Sequence, residues 1–308
     1  MTTALITHPA CLDHVNPPGH PEQVARLDYV LNALKDLPLE RYEAPMAADN
    51  DLLRIHPRSH MANLRKSSPE AGWVSLDADT HMSKGSLEAA YRAAGANTKA
   101  VDLVMQGKVQ NAFAAVRPPG HHAERETPMG FCLFGTVAMA AKYALDHHRL
   151  KRVAIIDFDV HHGNGTQDLT ESDQRILFIS SHEMPLFPGT GHAHETGAHN
   201  NVVNIPLSAN TTGVMYQNIF NTQIAPQVER FKPEMIFISA GFDAHRADPL
   251  ASIAFTKEDF AWITERICDL ADEHCEGRIV STLEGGYDLD ALAASVAAHV
   301  TVLEARGR

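Results

Sequence analysis

The sequence predicts an α/β fold, with a central, mostly parallel β-sheet flanked by helices on both faces. Six short apolar runs, at residues 4–7, 112–116, 153–158, 176–180, 235–239 and 279–283, are too short for helices and are bounded by turn residues, as buried parallel strands are. Helical patterns at 24–37, 86–105, 137–146, 215–231 and 257–274 alternate with them, and that alternation is the signature of a layered α/β sheet. No internal repeat or linker-like stretch interrupts the chain, so residues 1–308 are expected to form one domain.

Composition narrows the function. At 44% hydrophobic and 21% charged residues, the chain has ample material for a core. A net charge of -12 argues against nucleic acid as a partner, because phosphate neutralisation needs a concentrated Lys/Arg surface. The same charge suits a cationic substrate. Cys11, Cys132, Cys268 and Cys275 form no CxxC pair and are expected to be reduced thiols. The N-terminus lacks a signal-peptide pattern, and no apolar run reaches the ~18 residues of a membrane span, so a cytoplasmic protein is expected. The 19 histidines are the compositional outlier, and their positions are informative.

In an open parallel sheet, ligands bind outside the carboxyl ends of the strands. Four runs are followed there by chemistry-bearing residues: RPPGHHA (117–123), DVHHGNG (159–165), AGFDAHRADPL (240–250) and EGGYDLD (284–290). Asp157, Asp159 and His161 alternate, which turns their side chains to one face of a strand end. A carboxylate and an imidazole both reach Zn²⁺ at about 2.0–2.2 Å, and a third ligand from another strand end leaves a position open for water. Asp248, just before Pro249, is the candidate third ligand. The alternative is that Asp159 and His161 only cap the following turn. Asp157 lies deeper, where a buried carboxylate needs partners, and is expected to orient a histidine.

His121 and His122 leave their strand through a Pro-Pro-Gly turn. Two imidazoles beside a metal candidate suit acid/base work near neutral pH, with Asp157 and Asn164 as acceptors that fix the tautomers. Tyr287 follows Gly285 and Gly286, which permit an unusual backbone path next to a ligand. Its phenol can donate to a developing oxyanion, the alternative being a Tyr packed beneath a turn. The Pro/Gly/His-rich segment 183–200 is long for a loop and is expected to form a binding rim.

Together these segments resemble the histone deacetylase, acetylpolyamine amidohydrolase and acetoin-utilisation superfamily, and within it the class II-like deacetylases and their bacterial relatives. The likeness follows the family's order through PPGHPEQVARL (17–27), RPPGHHA, MGFC (129–132), DFDVHHGNG (157–165), FPGTG (187–191), GFDAH with ADPL, and LEGGYDL. It implies an arginase-like fold and hydrolysis of an N-acyl amine at one zinc held by Asp159, His161 and Asp248. His122 is then the general base and acid, His121 with Asp157 is electrostatic, and Tyr287 binds the oxyanion.

The resemblance also implies that Phe131 and Phe187 wall a channel for the aliphatic chain, with Gly130 and Gly286 beside it. Asp79 matches a rim residue that grips the substrate, or else caps the next helix. Asp157, Asp159, His161, Ser180 and Ser181 match a structural K⁺ site, and Thr170 and Asp173 lie near a second. Asn164 stands where some relatives carry Asp, so it can orient His122 but cannot raise its pKa by charge. FGTV (134–137) replaces a more usual Asn-containing stretch.

Counting from Asp248 places Phe255 at the pocket mouth, where acetylpolyamine specialists carry an acidic residue. An aromatic there offers no charge complement, so N-acyl-lysine in a peptide or protein is expected over an acetylpolyamine. The net charge of -12 nonetheless attracts any cation. A non-catalytic acyl-lysine-binding module and a binuclear arginase-type hydrolase are further alternatives. The complete set of Tyr287 and ligands speaks against the first, and the His121–His122 pair against the second. An Asp/His site also accepts Fe²⁺ or Co²⁺.

Overall fold

Strands that are apolar at successive positions must be covered on both faces. In the computed structural model, which describes residues 2–307, they lie in the middle of one sheet. The strands are β1 Thr3–Thr7, β2 Glu40–Glu43, β3 Val74–Ser75, β4 His81–Met82, β5 Asn111–Ala114, β6 Val153–Asp157, β7 Ile176–Glu183, β8 Val202–Leu207, β9 Ile236–Ala240 and β10 Ile279–Leu283. Eight of them run in the order β2-β1-β5-β10-β9-β6-β7-β8, and every pairing is parallel. Among the described residues, only β3 and β4 stand apart, as an antiparallel pair.

Side-chain alternation fixes which helices cover which face. In β10, Ser281 Oγ meets His299 Nε2 at 2.8 Å, while the next residue, Thr282, donates to Asn97 Oδ1 at 2.6 Å. Successive strand residues point to opposite faces, so helices Leu289–Arg306 and Ser86–Met105 lie on opposite sides of the sheet. Helices Ala25–Ala33 and Lys257–Cys275 pack with the first, and Thr136–His147 packs with the second.

Some elements carry little sequence signal. β2 is the charged edge ERYE, and β8 follows the long loop and contains Pro206. Helix Leu289–Arg306 spreads its apolar and alanine residues around the axis, so no stripe marks it. The helix expected over 215–231 is interrupted by a π-helical turn, Phe220–Ile224, just before Pro226, whose ring nitrogen cannot donate to the ladder.

A buried ion network ties the N-terminal segment to the end of β10. Glu22, Arg26 and Arg117 are all fully buried. Arg117 Nη2 donates to Glu22 Oε2 at 2.6 Å and Arg26 Nη1 to Glu22 Oε1 at 3.0 Å. Arg26 then donates to the carbonyls of Glu284 and Gly286, each at 2.6 Å. Burial alone would raise the Glu22 carboxyl, but Arg117 and the hydrogen bond with His14 hold it well below its ordinary 4.5. Glu22→Ala strands two buried guanidinium groups and should cost about 3–5 kcal/mol in urea unfolding. Because the folded pKa is depressed, this contribution is present above pH 4.5 and lost as pH falls toward the folded value. The variant should therefore show a flatter acid limb of stability than the wild type.

Candidate active site

The sheet order sets β5, β10, β9 and β6 side by side, so the polar segments that follow them converge on one rim. Beyond β6, Asp157 Oδ1 accepts the N–H of Asp159 at 3.1 Å, and Asp159 Oδ1 accepts that of His161 at 2.9 Å. Beyond β9, Asp243 Oδ1 accepts from Val160 N at 2.9 Å. Beyond β10, Gly285 N donates to Asp159 Oδ2 at 2.8 Å. A side chain at Gly241 or Gly285 would collide with the Asp159 carboxylate, and glycine is what lets the strand ends close on it.

Metal-ligating atoms of Asp159, His161 and Asp243 lie within 4.8 Å of one another, and all three residues are buried. His161 Nδ1 faces Asp159 Oδ1 at 3.2 Å and Asp243 Oδ2 at 3.0 Å. Two carboxylates and an imidazole are a donor set that holds a divalent ion such as Zn²⁺. The electrostatics fit too. Asp157, Asp159, Asp243 and Glu284 are all fully buried, and that density of desolvated negative charge calls for a cation.

The expected third ligand, Asp248, is not in this group. Its Oδ2 accepts the N–H of Tyr287 at 2.7 Å and its Oδ1 that of Leu250 at 3.0 Å. The loop after β9 turns at His245, where Asp248 N bonds to the His245 carbonyl, and this carries Asp248 away to the Tyr287 backbone. Asp243 takes its place. Burial, reinforced by Asp243, pushes the Asp248 carboxyl up to about 7.

The histidine pair occupies two different fields. His121 Nδ1 lies 3.0 Å from Asp157 Oδ2. Burial opposes its charge, but Asp159 and Asp157 prevail and raise its pKa well above the ordinary value, while burial holds Asp157 itself up at about 6. His122 Nδ1 lies 2.7 Å from Asn164 Oδ1. Asn164 Nδ2 donates to Glu124 Oε1 at 2.8 Å, which fixes the amide so that its oxygen faces His122. His122 Nδ1 therefore carries the proton and Nε2 the free lone pair. Burial and the neighbouring His121 lower His122 well below the ordinary imidazole value. The two rings stand 3.9 Å apart.

Glu284, which sequence reasoning passed over, sits beneath the pair. Its Oε2 accepts the N–H groups of Gly120 at 2.6 Å and His121 at 3.2 Å, and burial raises its pKa to about 7.

A cavity of about 350 Å³ opens above these residues. Phe131 and Phe187 wall it, together with Leu186 and Leu250, and His122, His161 and Tyr287 reach it from below. The Phe187 ring stands edge-on to His122 at 5.1 Å and that of Phe131 to Tyr287 at 5.8 Å. Gly130 and Phe131 both adopt positive φ, 55° and 70°, and a Cβ on Gly130 would strike the His122 ring. Burial raises the Tyr287 hydroxyl well above its ordinary pKa, against the pull of Arg26, whose guanidinium lies 4.9 Å from the ring centre. The phenol therefore stays a donor.

Other expected positions sort differently. Phe255 is buried in the core against Tyr216 and Phe260, with its N–H bonded to the Ala244 carbonyl, so it does not reach the mouth. Leu250 holds that wall instead. Gly286 has the unusual backbone expected, φ 119°, but its carbonyl faces Arg26 and it is not among the cavity-lining residues. Asp79 lines the mouth in the turn between β3 and β4, too far ahead of helix Ser86–Met105 to cap it.

Ser180 Oγ pairs with His182 Nδ1 at 2.9 Å and Ser181 Oγ with Tyr216 at 2.8 Å, so both hydroxyls already have protein partners. Near the second cation position, Asn201 Nδ2 meets the carbonyls of Thr170 and Asp173, and the Asp173 carboxylate is neutralised by Arg175 and Lys142.

Asp243 could have been found by its position. It lies three residues past the end of β9, whereas Asp248 lies eight past it. The 183–200 loop supplies Leu186 and Phe187 to the cavity, and its far side is held by His162 Nδ1 to Thr190 Oγ1 at 2.8 Å and His182 Nε2 to the Gly191 carbonyl at 2.9 Å.

Known proteins carry the same architecture. A family model described as the histone deacetylase domain matches residues 20–303. The chain is 40% identical over 305 residues to "Histone deacetylase 10, chloroplastic" of Oryza sativa subsp. japonica, covering 92% of this chain and 69% of that protein. It is 38% identical over 284 residues to "Histone deacetylase-like amidohydrolase" of Pseudomonas aeruginosa, covering 89% and 74% respectively. The crystal structure of the HDA15 HD domain superposes with a TM-score of 0.93 at 33% identity, covering 99% of this chain and 89% of that one. The chain belongs to the histone deacetylase family and is, with it, a hydrolase of amide bonds.

Proposed function

We propose that this protein is a zinc-dependent deacylase that hydrolyses the side-chain amide of N-acyl-lysine, acetyl-lysine foremost, in peptides or proteins. The observation that carries the reading is the buried Asp159–His161–Asp243 group, whose His161 lines an apolar-walled cavity together with His122 and Tyr287. Asp159, His161 and Asp243 would hold the zinc, with Asp248 positioning the Tyr287 loop. When bound, Zn²⁺ polarises an acyl carbonyl and acidifies water.

The residues supply the remaining chemistry. His122 Nε2 takes a proton from the water that attacks the acyl carbon. Tyr287 donates its hydroxyl proton in a hydrogen bond to the oxyanion as the carbon becomes tetrahedral. His122 then returns its proton to the departing nitrogen, so the C–N bond breaks to a carboxylic acid and an amine, and the acid's remaining proton passes to the amine to leave a carboxylate and an ammonium. His121, tied to Asp157, remains in place as a fixed field. K⁺ beside Asp157, the backbones of Asp159 and His161, and Ser180 and Ser181 belongs to the same reading, on the resemblance alone.

Lysine is favoured by the walls. Phe131, Phe187, Leu186 and Leu250 suit a methylene chain, at about 0.8 kcal/mol per buried CH₂. Leu250 offers no charge to a second ammonium, which disfavours acetylpolyamines. Acetyl-lysine peptide should be hydrolysed with higher kcat/KM than acetylputrescine or acetylspermidine in parallel assays. The reverse order would replace the substrate and leave the chemistry standing.

Tyr287→Phe should lower kcat by about 10²–10³ while leaving metal content unchanged. Metal analysis separates the two aspartates: Asp243→Ala should lose the active-site ion, and Asp248→Ala should keep it. Asp248→Ala should still turn over about 10- to 100-fold more slowly, the worth of a charged hydrogen bond to the Tyr287 backbone. Loss of the ion in Asp248→Ala but not in Asp243→Ala would restore the ligand set first expected.

A further inference from the structure

A second group of metal-ligating side chains lies far from the cavity. Ligand atoms of Asp102, His147 and His148 fall within 4.8 Å of one another. Asp102 sits in the last turn of helix Ser86–Met105, His147 is the final residue of helix Thr136–His147, and His148 is that helix's C-cap. These helices lead down to the starts of β5 and β6, so the group lies at the edge of the sheet opposite the active site. Helix Thr136–His147 alone, at 1.5 Å per residue, separates the two by roughly 18 Å.

We propose that Asp102, His147 and His148 form a second, independent site for a divalent transition-metal ion, which clips the C-terminal ends of these two helices together. Three observations support it. Two imidazoles and one carboxylate form a donor set that selects Zn²⁺, Ni²⁺ or Cu²⁺ over Mg²⁺ and Ca²⁺. Two helix C-termini, each the negative end of a macrodipole, face the same spot and favour a cation there. The side chains are also held in place: His148 Nε2 lies 2.8 Å from Asp102 Oδ1, Tyr143 donates to the same oxygen at 3.0 Å, and the His147 ring stacks on Tyr143 at 4.7 Å.

The nearby charges leave room for an ion. Among the described residues no Lys or Arg pairs with Asp102, whose ion-pair partner is His148. Arg54, which lies 5.6 Å from the Tyr143 ring centre, is engaged by Asp146 at 2.9 Å and Asp51 at 3.4 Å. Asp102 and His148 are half-buried and His147 is exposed, so water completes the coordination and the ion exchanges with solvent. This site does not depend on the proposed deacylation.

Equilibrium dialysis of the full-length protein against Zn²⁺ tests it. Wild type should hold about two ions, and His161→Ala and His147→Ala/His148→Ala about one each, since binding needs the full ligand set. The double variant should keep wild-type hydrolysis of acetyl-lysine peptide and lose a Zn²⁺-dependent rise in Tm that persists in His161→Ala. Asp102→Asn, which preserves shape, should reproduce the loss of one ion. If His161→Ala holds one ion and its combination with the double variant holds none, the peripheral site stands even were the catalytic metal reading to fail. A double variant that still holds two ions, or a wild type whose single ion disappears with His161→Ala, would overturn the proposal.

Discussion

Four carboxylates, Asp157, Asp159, Asp243 and Glu284, are completely buried where adjacent parallel strands end, and much of the surrounding structure answers the cost of keeping them there. An unpaired charge in such a place is unaffordable, so each is met by backbone N–H groups or imidazoles. Asp157 takes His121, Asp159 takes Gly285 N, Asp243 takes Val160 N, and Glu284 takes Gly120 N and His121 N. These partners come from different strand ends. The parallel register is therefore a requirement of the site as well as of the core. On the proposed reading, a divalent cation held by Asp159, His161 and Asp243 would complete the balance around His161.

The same field sets the two neighbouring histidines apart. His121 faces carboxylates and is held toward its charged form, whereas His122 faces a neutral amide and the charge of His121, and is held toward its neutral form. The proposed mechanism needs a base that begins neutral, and the pair is differentiated in that sense before any substrate arrives. Asn164 contributes direction instead of charge. Its fixed amide sets which nitrogen of His122 faces the cavity.

The sequence was most legible where burial imposes a pattern. Consecutive apolar residues in β5, β6, β9 and β10 leave no option but a covered parallel sheet, and the chemistry had to follow their carboxyl ends. His121, His122, Asn164 and Asp157 could be placed because each lies within a few residues of a strand end or the turn beyond it. Asp243 was passed over for Asp248 although it lies nearer the end of β9, because the path of the loop that carries both depends on the turn at His245 and on hydrogen bonds to Tyr287 and Leu250. The displacement of Phe255 by Leu250 has the same origin. The Arg26–Glu22–Arg117 network was invisible for a different reason: its parts come from three distant segments, and charged residues give no periodic signal of burial.

Zinc-edge anomalous diffraction from crystals grown with Zn²⁺ tests the centre of the account most directly. It should give a strong peak within coordination distance of Asp159, His161 and Asp243, with His122 and Tyr287 facing the ion across the cavity. A peak coordinated by Asp248, or a fully active protein with no peak among these three residues, would contradict it.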